Sequence, residues 1–235
     1  MSAKTANGMT ANGMTVGSAT TEVSVVTGMT KAEPGGRRGE TRQRLYLAAV
    51  DLIAEQGFTA TTVDAIAERA GVAKGTVFYN FGSKEALFAG LLGHGIQRLT
   101  DALAEAAQAT PADRPGSRVA TLDAIVLAQL RFFDEYGPFA RVLLAEMWRT
   151  AWQEAIVRLR EDALGVYERV LDEAVAAGEL REGLDTGTAA TAIFGMVLTV
   201  AIERRALHPD RPLDEVHATL TELIHGRISG TADPR

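Results

Sequence analysis

The sequence contains no cysteine, which excludes disulfides and thiolate metal sites and suits a reducing compartment. Aromatic residues supply only 6% of the chain against 46% hydrophobic residues in all. The core is therefore expected to be aliphatic and alanine-rich, a composition that favours helices. The N-terminus lacks the apolar segment of a secretion signal. The longest apolar run, around Thr191–Ile202, is shorter than a bilayer needs. A soluble, cytoplasmic protein with no membrane partner is expected. Positive net charge is missing as well, the formal charge being −6. An acidic chain is a poor general binder of nucleic acid, but the distribution matters more than the sum. The acid excess lies after residue 93, whereas residues 31–44 carry Lys31, Arg37, Arg38, Arg42 and Arg44 against Glu33 and Glu40. A small basic footprint on an acidic body fits a molecule that touches DNA with one end.

What is present centres on Thr61–Phe88, TTVDAIAERAGVAKGTVFYNFGSKEALF. Thr61 or Thr62 offers an N-cap, and Thr61 with Asp64 approximates a capping box. Val63, Ile66, Ala67 and Ala70 recur at helical spacing. Gly71 can end that helix with positive φ, and Val72 returns to the core. A second helix, about Ala73 to Phe81, is expected to bury Ala73, Val77 and Phe81 and to turn Lys74, Gly75, Thr76, Phe78, Tyr79 and Asn80 outward. Gly82 ends it, Ser83 caps the next helix, and Lys84 sits in that helix's first turn, where a cation opposes the macrodipole. Two short helices about a glycine turn are the layout of a helix-turn-helix, whose second helix enters the DNA major groove.

The stretch AIAERAGVAKGTVFYNFGSKEALF resembles the helix-turn-helix of the tetracycline-repressor (TetR) family of bacterial transcriptional regulators. The resemblance is specific over about Thr41 to Leu92 and mostly architectural beyond. Asn80 stands where the family commonly has histidine. By position in that motif, Lys74, Gly75 and Tyr79 are candidates for base-edge or groove contacts, Gly75 by leaving room for the backbone. Thr62, Thr76, Asn80 and Lys84 are candidates for phosphates. Phe78 either meets a thymine methyl or packs on the first helix. Arg37 and Arg38, at the start of a helix running from Arg37 to Gln56, are candidates for minor-groove or phosphate contacts, solvated tail charge being the alternative.

Upstream, residues 1–36 are rich in Gly, Thr, Ser and Ala, repeat ANGMT, and are expected to be disordered. In the helix to Gln56, Leu45, Ala48, Ala49, Leu52 and Ile53 form a stripe, with Gly57 at the C-cap. Residues 37–82 thus read as a three-helix DNA-binding domain. Residues 83–230 read as a helical regulatory and dimerisation domain entered by a linking helix, 83–108, and residues 231–235 as a tail. Gly90, Gly93 and Gly95 weaken that linking helix, either to bend it or to admit close packing. After a break at Thr110–Pro115, helices are expected over Ser117–Glu135, Phe139–Trp148, Thr150–Ala177, Asp185–Leu207 and from Leu213.

The helix ending at Leu207 is apolar nearly all round, so it is expected to be covered by another subunit. Ile193, Val197, Ala201, Leu220 and Ile224 are the candidates for a homodimer interface built as a four-helix bundle. Phe132, Phe133, Tyr136, Met147, Trp148, Trp152, Tyr167 and Phe194 are candidates for a pocket taking an apolar or amphipathic effector, although core packing explains each singly. The resemblance implies an inducer pocket in this half. The four histidines are scattered without a metal motif, and no catalytic constellation stands out, so neither an enzyme, a cofactor nor a metal is expected. The expectation is an all-α regulator that binds a double-stranded operator as a dimer and is released by a small molecule. The alternative is a helical ligand-binding or interaction protein with a vestigial helix-turn-helix, against which the basic and polar residues of the second helix argue.

Overall fold

The computed structural model describes residues 36–110, 116–146 and 152–228. The tail before residue 36, most of the break at 110–115, Met147, Trp148 and the tail 231–235 lie outside them. Every described element is a helix, and among the described residues there is no strand.

The first helix, α1 (Gly36–Ala60), buries Leu45, Ala48, Ala49, Leu52 and Ile53, the stripe that its spacing predicts. Its regular path breaks at Gly57, whose φ of 81° disfavours any side chain, so the expected stop is real although one more turn follows. Then come α2 (Val63–Arg69), α3 (Lys74–Phe81) and α4 (Lys84–Ala109). At 26 residues α4 is about 39 Å long. It begins beside α3 and runs on to pack against α5, so one rigid element joins both halves of the molecule. Its glycines admit close packing. A Cβ at Gly95 would overlap the Phe139 ring, and one at Gly90 would lie 2.7 Å from Tyr46 Oη.

The second half contains α5 (Ser117–Glu135), α6 (Gly137–Glu146), α7 (Gln153–Arg158), α8 (Gly165–Ala176), α9 (Thr186–Leu207) and α10 (Leu213–Ile228). Between α7 and α8 the chain stays helical but loosens into a π turn at Leu159–Leu164. What reads as one long helix is therefore three segments. The N-terminus of α5 has no side-chain cap of its own. Glu179 from the turn after α8 accepts hydrogen bonds from the amides of Gly116, Arg118 and Val119 at 3.0–3.1 Å. A carboxylate there satisfies orphan donors and complements the macrodipole. Asp185 caps α9 through the Thr188 amide, as expected.

Inside this half, Tyr167 Oη donates to Gln129 Oε1 (2.6 Å) and Gln129 Nε2 donates to the Phe194 carbonyl (3.0 Å), which ties α5, α8 and α9 together. Burial pushes the Tyr167 hydroxyl well above its ordinary pKa. Helix α10 docks on α5 through Val216, Leu220 and Ile224, with His217 and His225 both reaching Asp123.

One expectation changes here. Ile193, Val197, Ala201, Leu220 and Ile224 are at most 5% exposed within the single chain. Little of their surface is left to give to a partner, because α9 packs Ile193, Val197 and Ala201 into the chain's own core and α10 packs Leu220 and Ile224 on α5. The faces left open carry Thr191, Ala192, Thr199, Leu207 and Leu223. Helix α9 has, at 22 residues, the length and composition of a membrane-crossing helix, but Ala190, Ile193, Phe194, Val197, Leu198 and Ala201 are buried against the rest of the chain, as in a core helix.

Candidate nucleic-acid interface

The helix-turn-helix is assembled by local caps and then gripped from outside. Thr62 Oγ1 accepts from the Ala65 amide at 3.1 Å and so caps α2. Gly71, at φ 64°, makes the left-handed turn between α2 and α3, and Gly82, at φ 78°, ends α3. Ser83 Oγ accepts from the Ala86 amide at 3.0 Å and starts α4. Each of these caps is legible in the sequence.

Three clamps are not. Arg44 of α1 donates from Nη2 to the carbonyls of Ala70 (2.7 Å) and Gly71 (3.1 Å), and from Nε to Ala70 again (3.2 Å). It thereby holds the α2–α3 turn. Arg69 makes a bidentate pair with Glu55, 3.1 Å on each arm, joining α2 to α1 and holding the Glu55 carboxyl below its ordinary value. Lys84 donates to the carbonyls of Phe58 and Thr61, both at 2.9 Å, with its ammonium 4.2 Å from the Phe58 ring centre. A cation in the first turn of α4 thus has a structural reason: it satisfies the carbonyls that the break at Gly57 leaves over.

Phe58 is also where the two halves meet. Its amide donates to Glu146 at the end of α6 (3.4 Å), and its ring packs edge-on against Trp152 at 5.1 Å. Trp152 in turn contacts Phe88 of α4 at 4.5 Å.

On α3 the exposed side chains are Lys74, Phe78 and Tyr79, with Gly75 between them and Thr76 half-buried. Tyr79 is 75% exposed and Phe78 45%, so much of the Phe78 ring is open to solvent. Arg38 lies over the Tyr79 ring at 5.4 Å, which brings the start of α1 to the same surface as α3; Arg37 is exposed beside it. Lys74 is paired with Asp64 at 2.9 Å, an exposed bridge that a phosphate can replace at little cost. Thr62 stands exposed at the start of α2.

Three details of the sequence reading are corrected. Ala73 is exposed because it is the N-cap of α3 and not part of its buried stripe. Phe81 is only half-buried, against Tyr46 and beneath the Arg42 guanidinium. Asn80 is 9% exposed and its Nδ2 donates to the Thr76 carbonyl one turn back, so its amide is turned inward and not toward a phosphate.

The effector-pocket candidates divide into two groups. Phe132, Phe133, Tyr136 and Phe194 form one interlocked aromatic cluster with Phe139, and Tyr167 lies in the polar network described above. Tyr136 is pushed up to about 12 by burial and by its hydrogen bond to Glu135. Trp152 belongs to the junction at Phe58, and Met147 and Trp148 lie outside the described residues. Phe133 borders a cleft of about 160 Å³, and Trp152 borders a void of about 10 Å³ and an open cleft of about 480 Å³. None of these clefts is bordered by more than one of the candidate aromatic residues.

A helix-turn-helix with an exposed second helix, joined by a long helix to a larger helical domain, defines a DNA-binding transcriptional regulator. The family model described as bacterial regulatory proteins, tetR family, matches residues 45–91, and a tetracyclin repressor-like C-terminal domain matches residues 115–202. The chain belongs to the TetR family of transcriptional regulators. It is 30% identical over 167 residues to the uncharacterized HTH-type transcriptional regulator YdeS of Bacillus subtilis, covering 67% of this chain and 76% of that one. It is 29% identical over 156 residues to the fatty acid metabolism regulator protein of the same organism, covering 64% and 76%. The transcriptional regulator FadR from Bacillus subtilis, solved in complex with stearoyl-CoA, shares the fold with a TM-score of 0.67 at 23% identity, over 77% of this chain and 96% of that chain.

Proposed function

We propose that the protein is a repressor that binds a pseudo-palindromic operator as a homodimer in the cytoplasm and is released by a small amphipathic effector. The observation that carries the DNA half is the surface of α3. Tyr79 projects into solvent beside Arg38, Lys74 and Gly75 lie near it on the helix, and the helix behind them is fixed by Arg44 and Lys84. Lys74, Gly75, Phe78 and Tyr79 are assigned to the groove. Thr62, Thr76, Arg37 and Arg38 are assigned to the phosphates, together with the one ammonium proton Lys84 has left. Asn80 is not carried forward. The dimer is assigned to the open faces of α9 and α10, through Leu207 and Leu223 and the small residues Ala192 and Thr199. Two readers then sit about 34–36 Å apart, one per half-site.

An amphipathic effector is supported by the relative named for fatty acid metabolism and by the fold neighbour that holds stearoyl-CoA. An effector needs only to prefer the state that cannot reach both half-sites: about 100-fold preference corresponds to about 2.7 kcal/mol of coupling. The relatives are transcription regulators, and no catalytic step is assigned to this chain. Selection of bound sequences from random duplex DNA tests the reading. A two-fold symmetric consensus released by an amphipathic molecule is expected; no enrichment, or enrichment that no such molecule reverses, contradicts it.

A further inference from the structure

A groove runs across α4 where Gly90 and Gly93 remove two side chains. On one side of the helix is a cleft of about 310 Å³ bordered by Arg42, Gln43 and Tyr46 of α1 and by His94 of α4. On the other is the cleft of about 480 Å³ bordered by Ala89, Trp152, Glu154 and Ala155. Both clefts include Gly90, Gly93 and Arg158, so they are two ends of one groove with the Arg158 side chain lying between them. Gly93 is what admits that arginine. A Cβ there would lie 3.1 Å from Arg158 Nη1.

We infer that this groove is the effector site, and that it takes an amphipathic anion with its phosphate or carboxylate on Arg42 and Arg158 and its apolar part along Ala89, Ala155 and Trp152. The assignment rests on the regulator reading above and places its ligand. Four observations support it. Arg158 has no carboxylate partner among the described residues, and the α1 end of the groove is lined by two guanidinium groups and no carboxylate. Arg42 is held in place by Tyr46 Oη (3.2 Å) and the Phe81 ring, which leaves its other N–H groups for an anionic oxygen acceptor. Gln43 borders the first cleft and Trp152 the second, and the side-chain donors of both, Gln43 Nε2 and Trp152 Nε1, are buried just behind the surface without a hydrogen-bond partner. A buried unpaired donor is a standing cost that an arriving acceptor removes. The far end carries the one carboxylate, Glu154, together with apolar carbons, so the two ends orient a molecule that has an anionic head.

The position also explains release. One wall of the groove is α1, the brace of the reader, and the other is α7, beyond α4. A ligand that grips both fixes the reader relative to the regulatory helices, and Trp152 touches Phe58 at the joint of α1 and α2. Differential affinity for one of two such arrangements is all that allostery requires.

Calorimetric titration of the full-length chain with octyl phosphate, octanol and inorganic phosphate tests the site. Octyl phosphate should bind stoichiometrically and more tightly than either half alone. Arg158→Ala should weaken it by about tenfold or more. Gly93→Leu should fill the groove and abolish binding while leaving the thermal midpoint unchanged or higher, because leucine is the better helix former. Unchanged octyl phosphate affinity in both variants overturns the site. Octanol binding as tightly as octyl phosphate overturns the anionic head, and inorganic phosphate doing so overturns the apolar end. No octyl phosphate binding by a protein that still binds its selected operator overturns the groove and spares the regulator. Failure to enrich any duplex contradicts the regulator instead.

Discussion

In the reader, α2 and α3 are only 7 and 8 residues long, whereas α5 and α9 in the regulatory half run to 19 and 22. Helices as short as the first pair are not stable by themselves in water. They are kept in place by Ile66, Ala67 and Val77 beneath them and by charged side chains that seize turn carbonyls: Arg44 at Ala70 and Gly71, Lys84 at Phe58 and Thr61. The long helices instead bury continuous apolar faces, and the polar network of Gln129 and Tyr167 lies within them fully paired. The difference concerns where stability is held. The reader concentrates it in a few polar contacts behind the DNA surface, so that surface is left to chemistry other than folding. The regulatory half spreads stability over its core, where single contacts matter less and single charges matter more.

The largest effect expected from this contrast is in the regulatory core. Val197 is fully buried, and Val197→Asp places an unpaired carboxylate there, costing more than about 4 kcal/mol. Urea unfolding at two protein concentrations should show a loss of stability that does not depend on concentration. A loss confined to dimer dissociation would move Val197 back to an interface. Next, Lys84→Ala or Arg44→Ala should each remove about 1.5–3 kcal/mol, the range for hydrogen bonds to charged groups, and the loss should be local. Amide exchange is expected to quicken in α2 and α3 while α5 and α9 keep their protection. Equal quickening in both halves would erase the distinction.

A smaller loss, about 1–2 kcal/mol in thermal or urea unfolding, is expected for Tyr167→Phe, which leaves the Gln129 carbonyl oxygen buried without its donor. The smallest effect concerns pH. Glu55 is held below its ordinary value of 4.5 by Arg69, so the pair's contribution is fully present above 4.5 and is lost as pH falls through the lower folded value. The pair is exposed and the contribution small. Glu55→Gln should therefore flatten the acid side of the stability profile slightly; an unchanged profile would show the pair to be idle.

The same contrast explains what the sequence reveals. Caps are local: Thr62, Gly71, Gly82, Ser83 and Asp185 each act on residues within a turn or so, and each does what its residue type predicts. The clamps are not local. Lys84 binds carbonyls 23 and 26 residues away, so its own helix shows only a misplaced cation. Asn80 looks outward by helical spacing, but a short amide can fold back on its own helix. Helix α9 is apolar on every side, so periodicity holds no information on which face turns inward, and Ile193, Val197 and Ala201 turned toward their own chain. Within Leu159–Leu164 itself no glycine or proline marks a π turn, and Gly165 just after it carries an ordinary helical φ. The groove at Gly90 and Gly93 is half visible: the glycines stand out, but Arg158, which crosses them, comes from 65 residues farther along the chain.

The central claim is that α3 reads base sequence through its free face. The most direct measurement is the ratio of affinities for the selected operator and for a scrambled duplex, at one salt concentration, in the wild type and in Tyr79→Ala and Lys74→Ala. Both side chains are exposed, so both variants should keep the wild-type thermal midpoint within about 0.5 kcal/mol of stability. The ratio should fall by about fivefold or more in each, the loss expected when a base-edge contact worth about 1–3 kcal/mol is removed. If both variants bind the scrambled duplex and the operator in the wild-type ratio, α3 does not read the groove.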